Sequence, residues 1–557
     1  MQTRFFLHFV VLLALLSAGL GPFSADAKPA RQSAAKSSAG KLRVAKPAPA
    51  KPAPAKPAPA KPAPAKPAPA KTSAVKPAKP DKPATADKLA KATAEETDDD
   101  ASQAATGPAV HTSDKASDLR TIFKSAPGKF RAGGLIVELE SGHTVFEDGA
   151  DKVLTPASVA KLFGTAAAVK VLDLDKKPVT EVRAASKSAQ VPALVLVGAA
   201  DPTMTFADYK KLAQAVAAAG ITRTQKLVVD ATLFDDALPA GFDQKLTDAA
   251  YRAPIGALML DASTLQVVVR PGKIGEPPLV EVTPNAGAAV VVINQAQTIK
   301  DKKYALTVAT RPAGRKTEVV VSGTLAASRK IVGSGRRRVA DASYFAAHVF
   351  KELLQQNGVA VEGEPIFSAE AKGQATQVIA SHSHHDWRAV LHVTNKQSHN
   401  QYAETLFKLV GVTVGGAPGT SQKAIDGVRK ALEPLGLNWE GTKMANGSGL
   451  YRADTITCRT AVALIRAMAK DAKGLQWRQS LAVGGVDGTL RGRLKWPQTK
   501  GKVFAKTGTL DDVSGLAGYA QGADGKLLAF AFFFNDINGA AAYRGVQDKM
   551  LRRLLSD

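Results

Sequence analysis

The chain is poor in cysteine, since its 557 residues include only Cys458. A lone thiol cannot form a disulfide within the chain, so a small disulfide-stapled fold is excluded and stability must come from a buried core. Aromatic residues are also few, at 6% of the sequence. After the first 27 residues no stretch is apolar enough to span a bilayer, which excludes a protein with several membrane-spanning helices.

The strongest apolar run lies at the amino terminus. Arg4 is followed by FFLHFVVLLALLSAGLG and then by Ala25-Asp26-Ala27. A charged start, a short apolar run and an A-x-A-like site are typical of a secretory signal peptide. We therefore predict that residues 1–27 direct export to the periplasm or cell envelope. An uncleaved membrane anchor is the alternative, although the run is short for a spanning helix and is interrupted by His8.

Residues 28–113 are predicted to form a disordered linker rich in Lys, Pro and Ala. The unit KPAPA occurs five times within residues 46–71, and its prolines exclude helix and sheet and favour polyproline II. Residues 28–91 carry 16 Lys and Arg against two Asp, more than half of the net charge of +25. The segment is either a spacer whose lysines attract anionic wall polymers or a plain solvated linker. The signal peptide argues against nucleic acid as a partner.

Beyond the linker the pattern predicts an α+β protein. An Ala-rich helix is expected over residues 158–172, and short β-rich runs separated by Pro, Gly and Asp turns follow it. The helical period resumes at SYFAAHVFKELLQQNG, and the last 60 residues give a meander of strands that ends in KLLAFAFFF. We therefore predict one domain from residues 114–172 plus 343–557, which carries one or more inserted β-rich domains over residues 173–342.

One candidate nucleophile lies in the stretch TPASVAKLFGT, which places Ser158 three residues before Lys161. Residues spaced i and i+3 lie on one helix face, so a neutral lysine there can accept the serine proton. The serine amide at a helix start also points outward, toward a developing oxyanion. Alone the pair is a weak signal, because S-x-x-K arises by chance in a chain rich in both residues.

Two further motifs strengthen this interpretation. The stretch NKQSHNQYAE contains an S-x-N element at Ser398 and Asn400, and FAKTGTL contains a K-T-G element that begins at Lys506. The order S-x-x-K, S-x-N, K-T-G is that of the penicillin-recognising serine acyl transferases. Ser398 can relay a proton to the leaving amine, and Asn400 can hold a substrate peptide group. The K-T-G strand can bind a substrate carboxylate.

With these motifs in place, the chain resembles the class C penicillin-binding proteins, the D-alanyl-D-alanine carboxypeptidase/endopeptidase family. Ser398 follows Ser158 by 240 residues, a gap in which family members carry extra domains. Further matches are GAADPTM, NGSGLYR and GGVDGTLRGRL. The resemblance covers residues 114–557 and implies a penicillin-binding, β-lactamase-like transpeptidase fold of antiparallel sheet and helices.

The resemblance also implies a serine-type D-alanyl-D-alanine carboxypeptidase or endopeptidase that acts on peptidoglycan stem peptides through an acyl-enzyme, with no cofactor or metal. β-Lactam antibiotics would acylate the same serine because they mimic the dipeptide. The implied catalytic residues are Ser158, Lys161 and Ser398. The implied substrate-binding residues are Asn400, Lys506, Thr507, Gly508 and Thr509, where the Thr509 amide pairs with that of Ser158 as an oxyanion hole.

The sequence departs from the family in three places. The glycine run before Asp201 is shortened, Asn446 stands where an Asp is common, and His399 fills the middle of the S-x-N element. Asp201 and Asp487 are interpreted as residues that build turns. Asp248 is a candidate for contact with the substrate's side chain, because family members carry an acid in that region.

Three rival interpretations remain open. Five of the nine histidines lie in the segment from His382 to His399, and its stretch SHSHHD suggests a metal site as a hypothesis. The zinc motif H-E-x-x-H is missing, however, and a polar loop is the simpler alternative. A non-catalytic envelope protein that binds peptidoglycan is the second rival. A β-lactamase is the third, although it would need an efficient deacylating base and the spacing identifies none.

Overall fold

The structure, a computed structural model, describes residues 112–556 except 243, 246, 303, 304, 369–372 and 374. The predicted signal peptide and nearly all of the predicted linker lie outside the described residues. None of the helices in the described part is both long enough and apolar enough to cross a membrane.

The described chain begins with a helix and a β-hairpin and then enters a short 3-10 turn that continues into a buried helix. The elements are α1 (Thr112–Lys124), β1 (Arg131–Glu138), β2 (Thr144–Asp148), the 3-10 turn Ala157–Ala160 and α2 (Lys161–Val171).

The next part of the chain is dominated by short strands, as the sequence predicts. It contains β3 (Thr180–Ala184), β4 (Gln190–Val191), β5 (Leu194–Val197), α3 (Phe206–Ala218), β6 (Arg223–Thr224), β7 (Leu227–Asp230), β8 (Thr264–Arg270), β9 (Leu279–Thr283), β10 (Val290–Ile299), β11 (Ala305–Ala313), β12 (Lys316–Ala326) and β13 (Val332–Arg338).

The last part alternates helices with strands and ends in the expected meander and a terminal helix. It contains α4 (Ala342–Gln356), β14 (Ala360–Val361), β15 (Ile366–Phe367), β16 (Gln377–His382), α5 (Trp387–Lys396), α6 (Asn400–Gly415), α7 (Ser421–Leu432), α8 (Cys458–Lys470), α9 (Gly474–Gln479), β17 (Ala482–Val483), β18 (Val503–Leu510), β19 (Val513–Gln521), β20 (Leu527–Asn535) and α10 (Ala540–Leu554).

The largest sheet has six antiparallel strands in the order β17-β18-β19-β20-β1-β2. Alternate residues of β20 serve two cores. Phe532 faces the core formed with α1 and α10, whereas Phe533 faces the core that includes α2 and α8. A strand that packs against a core on both faces consists almost entirely of apolar residues. This explains LLAFAFFF and confirms its predicted central place.

Helix α2 is the centre of the helical layer, and nine of its eleven residues are buried. It packs against α5, α6 and α7, and its cluster also includes residues of the large sheet. Residues 158 and 161, at the start of this helix, are thus fixed by packing on several sides. The fold is that of a penicillin-binding, β-lactamase-like protein with additional β-rich elements.

The strands β3–β16 form a second set of sheets with its own core. One sheet has the order β15-β7-β5-β3-β16, and three smaller sheets have the orders β14-β6-β4, β13-β8-β9 and β10-β12-β11. Helix α4 belongs to this core through Phe345, Val349 and Phe350. The division into a peptidase domain and an inserted part stays a prediction. The membership of α4 and β14–β16 in the second set of sheets and its core favours an inserted part that ends near His382 rather than at residue 342.

A buried asparagine ties the catalytic-motif segment to the large sheet. Asn535, at the end of β20, is fully buried; its Oδ1 accepts the Thr155 amide at 2.7 Å, and its Nδ2 donates to the Thr155 carbonyl at 3.0 Å. Both polar groups of the Thr155 backbone therefore depend on one side chain that lies 380 residues away.

We predict that Asn535→Ala lowers the free energy of unfolding by roughly 2–4 kcal/mol, because it leaves two buried backbone groups unpaired. Urea unfolding measures the loss. Asn285→Ala is the control, since that exposed side chain also makes two hydrogen bonds, to Glu352 and to the Gly287 amide. A loss in Asn535→Ala no larger than in the control would contradict the assignment.

Candidate active site

The 3-10 turn before α2 brings Ser158 and Lys161 into contact. The Lys161 Nζ atom donates to the Ser158 Oγ atom over 2.9 Å. Lys161 is fully buried and Ser158 is half-buried, so the hydroxyl faces an opening while the amine is shielded from water. Ala157 has a φ of +48°, an uncommon conformation for a side chain with a Cβ, immediately before the serine. Such strain is common at functional sites.

The S-x-N element forms the turn between α5 and α6. The Asn400 Oδ1 atom accepts from the Lys161 Nζ atom at 2.9 Å, and its Nδ2 atom donates to the Tyr251 carbonyl at 3.0 Å. Ser398 has a φ of +61°, in the left-handed region. The element therefore contacts the lysine of the first motif directly, across 239 residues of sequence.

The third motif lies on β18, which runs along the turn that carries Ser158. Lys506 is fully buried; its Nζ atom donates to the Ser398 Oγ atom at 2.8 Å and to the Thr507 carbonyl at 3.0 Å. Gly508 is required by this close approach, because a Cβ there would lie 2.4 Å from the Pro156 carbonyl oxygen. The structure thus brings all three motifs together.

Two residues that the sequence analysis missed flank the hydroxyls of the K-T-G strand. The Thr507 hydroxyl donates to the Thr489 hydroxyl at 2.9 Å. The Arg544 guanidinium, from α10, donates to the Thr509 hydroxyl at 3.1 Å. Thr489 lies within GGVDGTLRGRL, which was noted as a family match, but no sequence pattern pointed to Arg544.

Lys161 has a third partner, the Ser448 carbonyl oxygen, at 2.6 Å. Asn446, in the same loop, is fully buried; its Oδ1 atom accepts the Ser448 amide, the Ser448 hydroxyl and the Gly449 amide. Its Nδ2 atom donates to the Ala240 carbonyl at 2.9 Å. The asparagine that departs from the family pattern therefore satisfies its local hydrogen bonds.

The electrostatics of the site favour a neutral amine at Lys161. Burial lowers the pKa of Lys161 to about 7, against the opposing effect of the Glu404 and Asp454 carboxyls. Burial, and then the charge of Lys161, hold the pKa of Lys506 well below its usual value. Burial and Lys161 also lower the pKa of His399 to about 4, so this imidazole is neutral at physiological pH.

A cavity of about 480 Å³ opens beside the S-x-N element and is lined by Ser398, His399, Asn400, Tyr251 and Arg336 among others. Its walls combine the peptidase motif with residues of the β-rich part of the chain. The cavity therefore offers space for a ligand beside Ser398 and Asn400 of the S-x-N element.

Asp248 does not contact the three motifs. Its carboxylate accepts from the Arg337 guanidinium at 3.0 Å and from the Thr310 amide at 2.9 Å. The contact between Asp248 and a substrate side chain therefore stays a prediction. Asp201 and Asp487 accept hydrogen bonds from amides of their own turns, as expected for turn-building residues.

Two histidines of the histidine-rich segment approach one acid, Asp208. His382 lies 3.0 Å from one Asp208 oxygen and His384 lies 3.1 Å from the other. Across the part of the chain that the structure describes, no group of three or more His, Cys, Asp or Glu is arranged to hold a metal ion.

Comparisons with known proteins agree with this geometry. The sequence profile of the D-Ala-D-Ala carboxypeptidase 3 (S13) family matches residues 117–556. A D-alanyl-D-alanine carboxypeptidase of Actinomadura sp. (strain R39) is 34% identical over 440 residues, which are 76% of this chain and 81% of that protein. A carboxypeptidase of Mycobacterium tuberculosis is 25% identical over 450 residues, 77% of this chain and 82% of that protein.

The fold also matches a solved structure. Penicillin-binding protein 4 from Haemophilus influenzae superposes with a TM-score of 0.70 at 22% identity, over 79% of this chain and 100% of that one. A second structure of that protein, complexed with a novel β-lactam, gives a TM-score of 0.66 at the same identity and coverage.

Fold and motifs together define a serine hydrolase of the penicillin-binding class. Within that class, the chain belongs to the D-Ala-D-Ala carboxypeptidase 3 (S13) family, the class C penicillin-binding proteins. It is accordingly a DD-peptidase, as the sequence motifs predict.

We predict that the rate of acylation rises with pH through about 7. Only the neutral amine can accept the serine proton, and the pKa of Lys161 lies at about 7, so protonation below that value removes the base. Measuring kcat/KM on a D-Ala-D-Ala-terminated peptide between about pH 5 and pH 9 checks this. A rate that rises only near the ordinary lysine pKa of about 10.4 would contradict it.

Proposed function

We propose that Ser158 is the nucleophile of a D-alanyl-D-alanine carboxypeptidase and endopeptidase that acts on peptidoglycan stem peptides and cross-links. The observation that carries this proposal is the 2.9 Å contact between its hydroxyl and the buried Lys161 amine. The Ser158 oxygen attacks the carbonyl of the penultimate D-alanine while Lys161 takes its proton. Ser398 passes a proton to the leaving amine, and water then releases the acyl group from the serine.

The remaining motif residues would bind the substrate. The amides of Ser158 and Thr509 would hold the oxyanion, and Asn400 would hold a peptide group of the stem. Lys506, Thr507 and Thr509 would hold the substrate's carboxylate. Gly508 supports this arrangement, since a side chain there would collide with the turn that carries Ser158.

We further propose that the chain works in the cell envelope and that β-lactams acylate Ser158. Export is supported by the signal-like sequence of residues 1–27. The lysine-rich segment of residues 28–91 suits contact with an anionic wall polymer, because its charge is strongly positive.

We predict that Ser158→Ala abolishes covalent labelling by a fluorescent penicillin and lowers D-alanine release by at least about 10³-fold, because no other hydroxyl is paired with Lys161 in the described part of the chain. Gel fluorescence and a D-alanine assay measure both effects. Ser125→Ala, at an exposed serine after α1, is the control and retains full labelling.

A cross-linked peptide dimer supplied to the wild-type protein tests the endopeptidase part separately. Conversion of the dimer to monomers supports it, and release of D-alanine without dimer cleavage restricts the enzyme to carboxypeptidase action. A wild-type protein that binds the peptide but releases nothing would instead be a binding protein. Rapid hydrolysis of penicillin would identify a β-lactamase.

We also predict that Arg544→Gln raises KM for a peptide with a free terminal carboxylate by roughly tenfold, because Arg544 donates to the Thr509 hydroxyl and adds positive charge beside it. Steady-state kinetics with the free acid and with its terminal amide measure the effect. The two substrates should become similar in the variant. Arg553→Gln, which removes a charge of the same helix paired with Asp118, should leave KM unchanged.

A further inference from the structure

The loop of residues 445–449 is held by two buried carboxyl groups. The Glu404 oxygens accept the Gly447 amide at 3.1 Å and the Ser448 amide at 2.8 Å. The Asp454 Oδ1 atom accepts the Ala445 amide at 2.7 Å and the amide of the next residue at 3.3 Å. Four consecutive amides of this loop are therefore bound by two carboxyl side chains.

The bound loop presents one carbonyl to the active site. The Ser448 oxygen accepts from the Lys161 Nζ atom at 2.6 Å, the shortest of the three hydrogen bonds that this amine donates. Gly449 has a φ of +70°, and a Cβ there would lie 2.0 Å from the Ala157 carbonyl. The loop thus packs directly on the turn that carries the nucleophile.

Holding these amides does not by itself require charge. Asn446 is neutral and buried in the same loop, and its oxygen accepts three hydrogen bonds. By contrast, Glu404 and Asp454 are 2% and 0% exposed, and the described residues provide neither with an ion pair within 4.0 Å. The Asp454 Oδ2 atom also has no hydrogen-bond partner there. Burying two ionisable carboxyl groups without an ion pair costs free energy that neutral side chains at the same positions would avoid.

A role for the charge of Glu404 and Asp454 follows from the proton transfer to Lys161. When Lys161 accepts the serine proton it becomes an ammonium ion in the protein interior, an unfavourable state without a nearby negative charge. The ionisable groups that face this amine are Glu404 on α6, Asp454 before α8, Lys506 on β18 and His399 before α6. Only the first two of these can supply negative charge.

We propose that Glu404 and Asp454 are positioning residues that fix the Ser448 carbonyl on the Lys161 amine and supply the countercharge for the ammonium ion formed during acylation. The proposal rests on the proposed role of Lys161 as the base. Burial raises the pKa of Asp454 to about 7 and also raises that of Glu404, so the Asp454 titration overlaps that of Lys161.

The test is the pH profile of penicillin acylation in the full chain. Asp454→Asn keeps the oxygen that binds two amides and removes only the titrating group. Loss of this countercharge makes Lys161 a weaker base, so the acid limb should move to lower pH by about 1 unit while the plateau rate falls. Glu404→Gln should move the acid limb in the same direction. This variant should lose more stability than Asp454→Asn, because both Glu404 oxygens accept backbone amides and the new side-chain NH₂ group would face one of them.

The matched control is Asp230→Asn. The Asp230 carboxyl is also buried, on β7, and accepts from the amide and hydroxyl of Thr232 within its own turn. Its removal should leave the acid limb unchanged. A limb shift of equal size in this control would overturn the proposal.

A purely structural role predicts the opposite shift. A loosened loop would admit water, and the pKa of Lys161 would return toward its ordinary value, so the limb would move to higher pH. That result, or an unshifted limb in both variants, overturns the proposal. If wild type is not acylated at all, the proposed function fails instead.

Discussion

The hydrogen bond between the Lys161 amine and the Ser158 hydroxyl is the contact to which the rest of the site is fitted. In the proposed role of Lys161 as the base the amine must be neutral, and burial favours the neutral form by lowering the pKa of Lys161 to about 7. The same burial makes the ammonium ion hard to form. Asn400 and the Ser448 carbonyl accept hydrogen bonds from the amine and orient it.

The fold supplies the rigidity that this contact needs. Helix α2 is packed on several sides, and the segment before it is bound to the large sheet through Asn535. Strand β18 lies so close to the 3-10 turn that only glycine fits at position 508. Ser158, the proposed nucleophile, therefore lies on a segment whose position is restrained by a helix, a sheet strand and a loop, as precise catalytic geometry requires.

Two departures from the family pattern, Asn446 and His399, are packed into the site in different ways. Asn446 accepts from the Gly449 amide of its own loop and donates to the Ala240 carbonyl, and the His399 ring lies tilted against that of Tyr402, with 4.3 Å between ring centres, at the wall of the cavity. At 22% identity to penicillin-binding protein 4 from Haemophilus influenzae, the fold is retained while many side chains differ.

The sequence by itself determined the motifs, the family and the α+β character, because motif order and apolar periodicity are local properties that a single chain displays. It did not reveal Glu404, Asp454 or Arg544 as parts of the site, since their roles depend on contacts between distant segments. The boundary of the inserted part at residue 342 stays a prediction, and the packing of α4 with the second core was not visible in the sequence. Burial decides which carboxyl or amine changes its pKa, and only the tertiary structure determines burial.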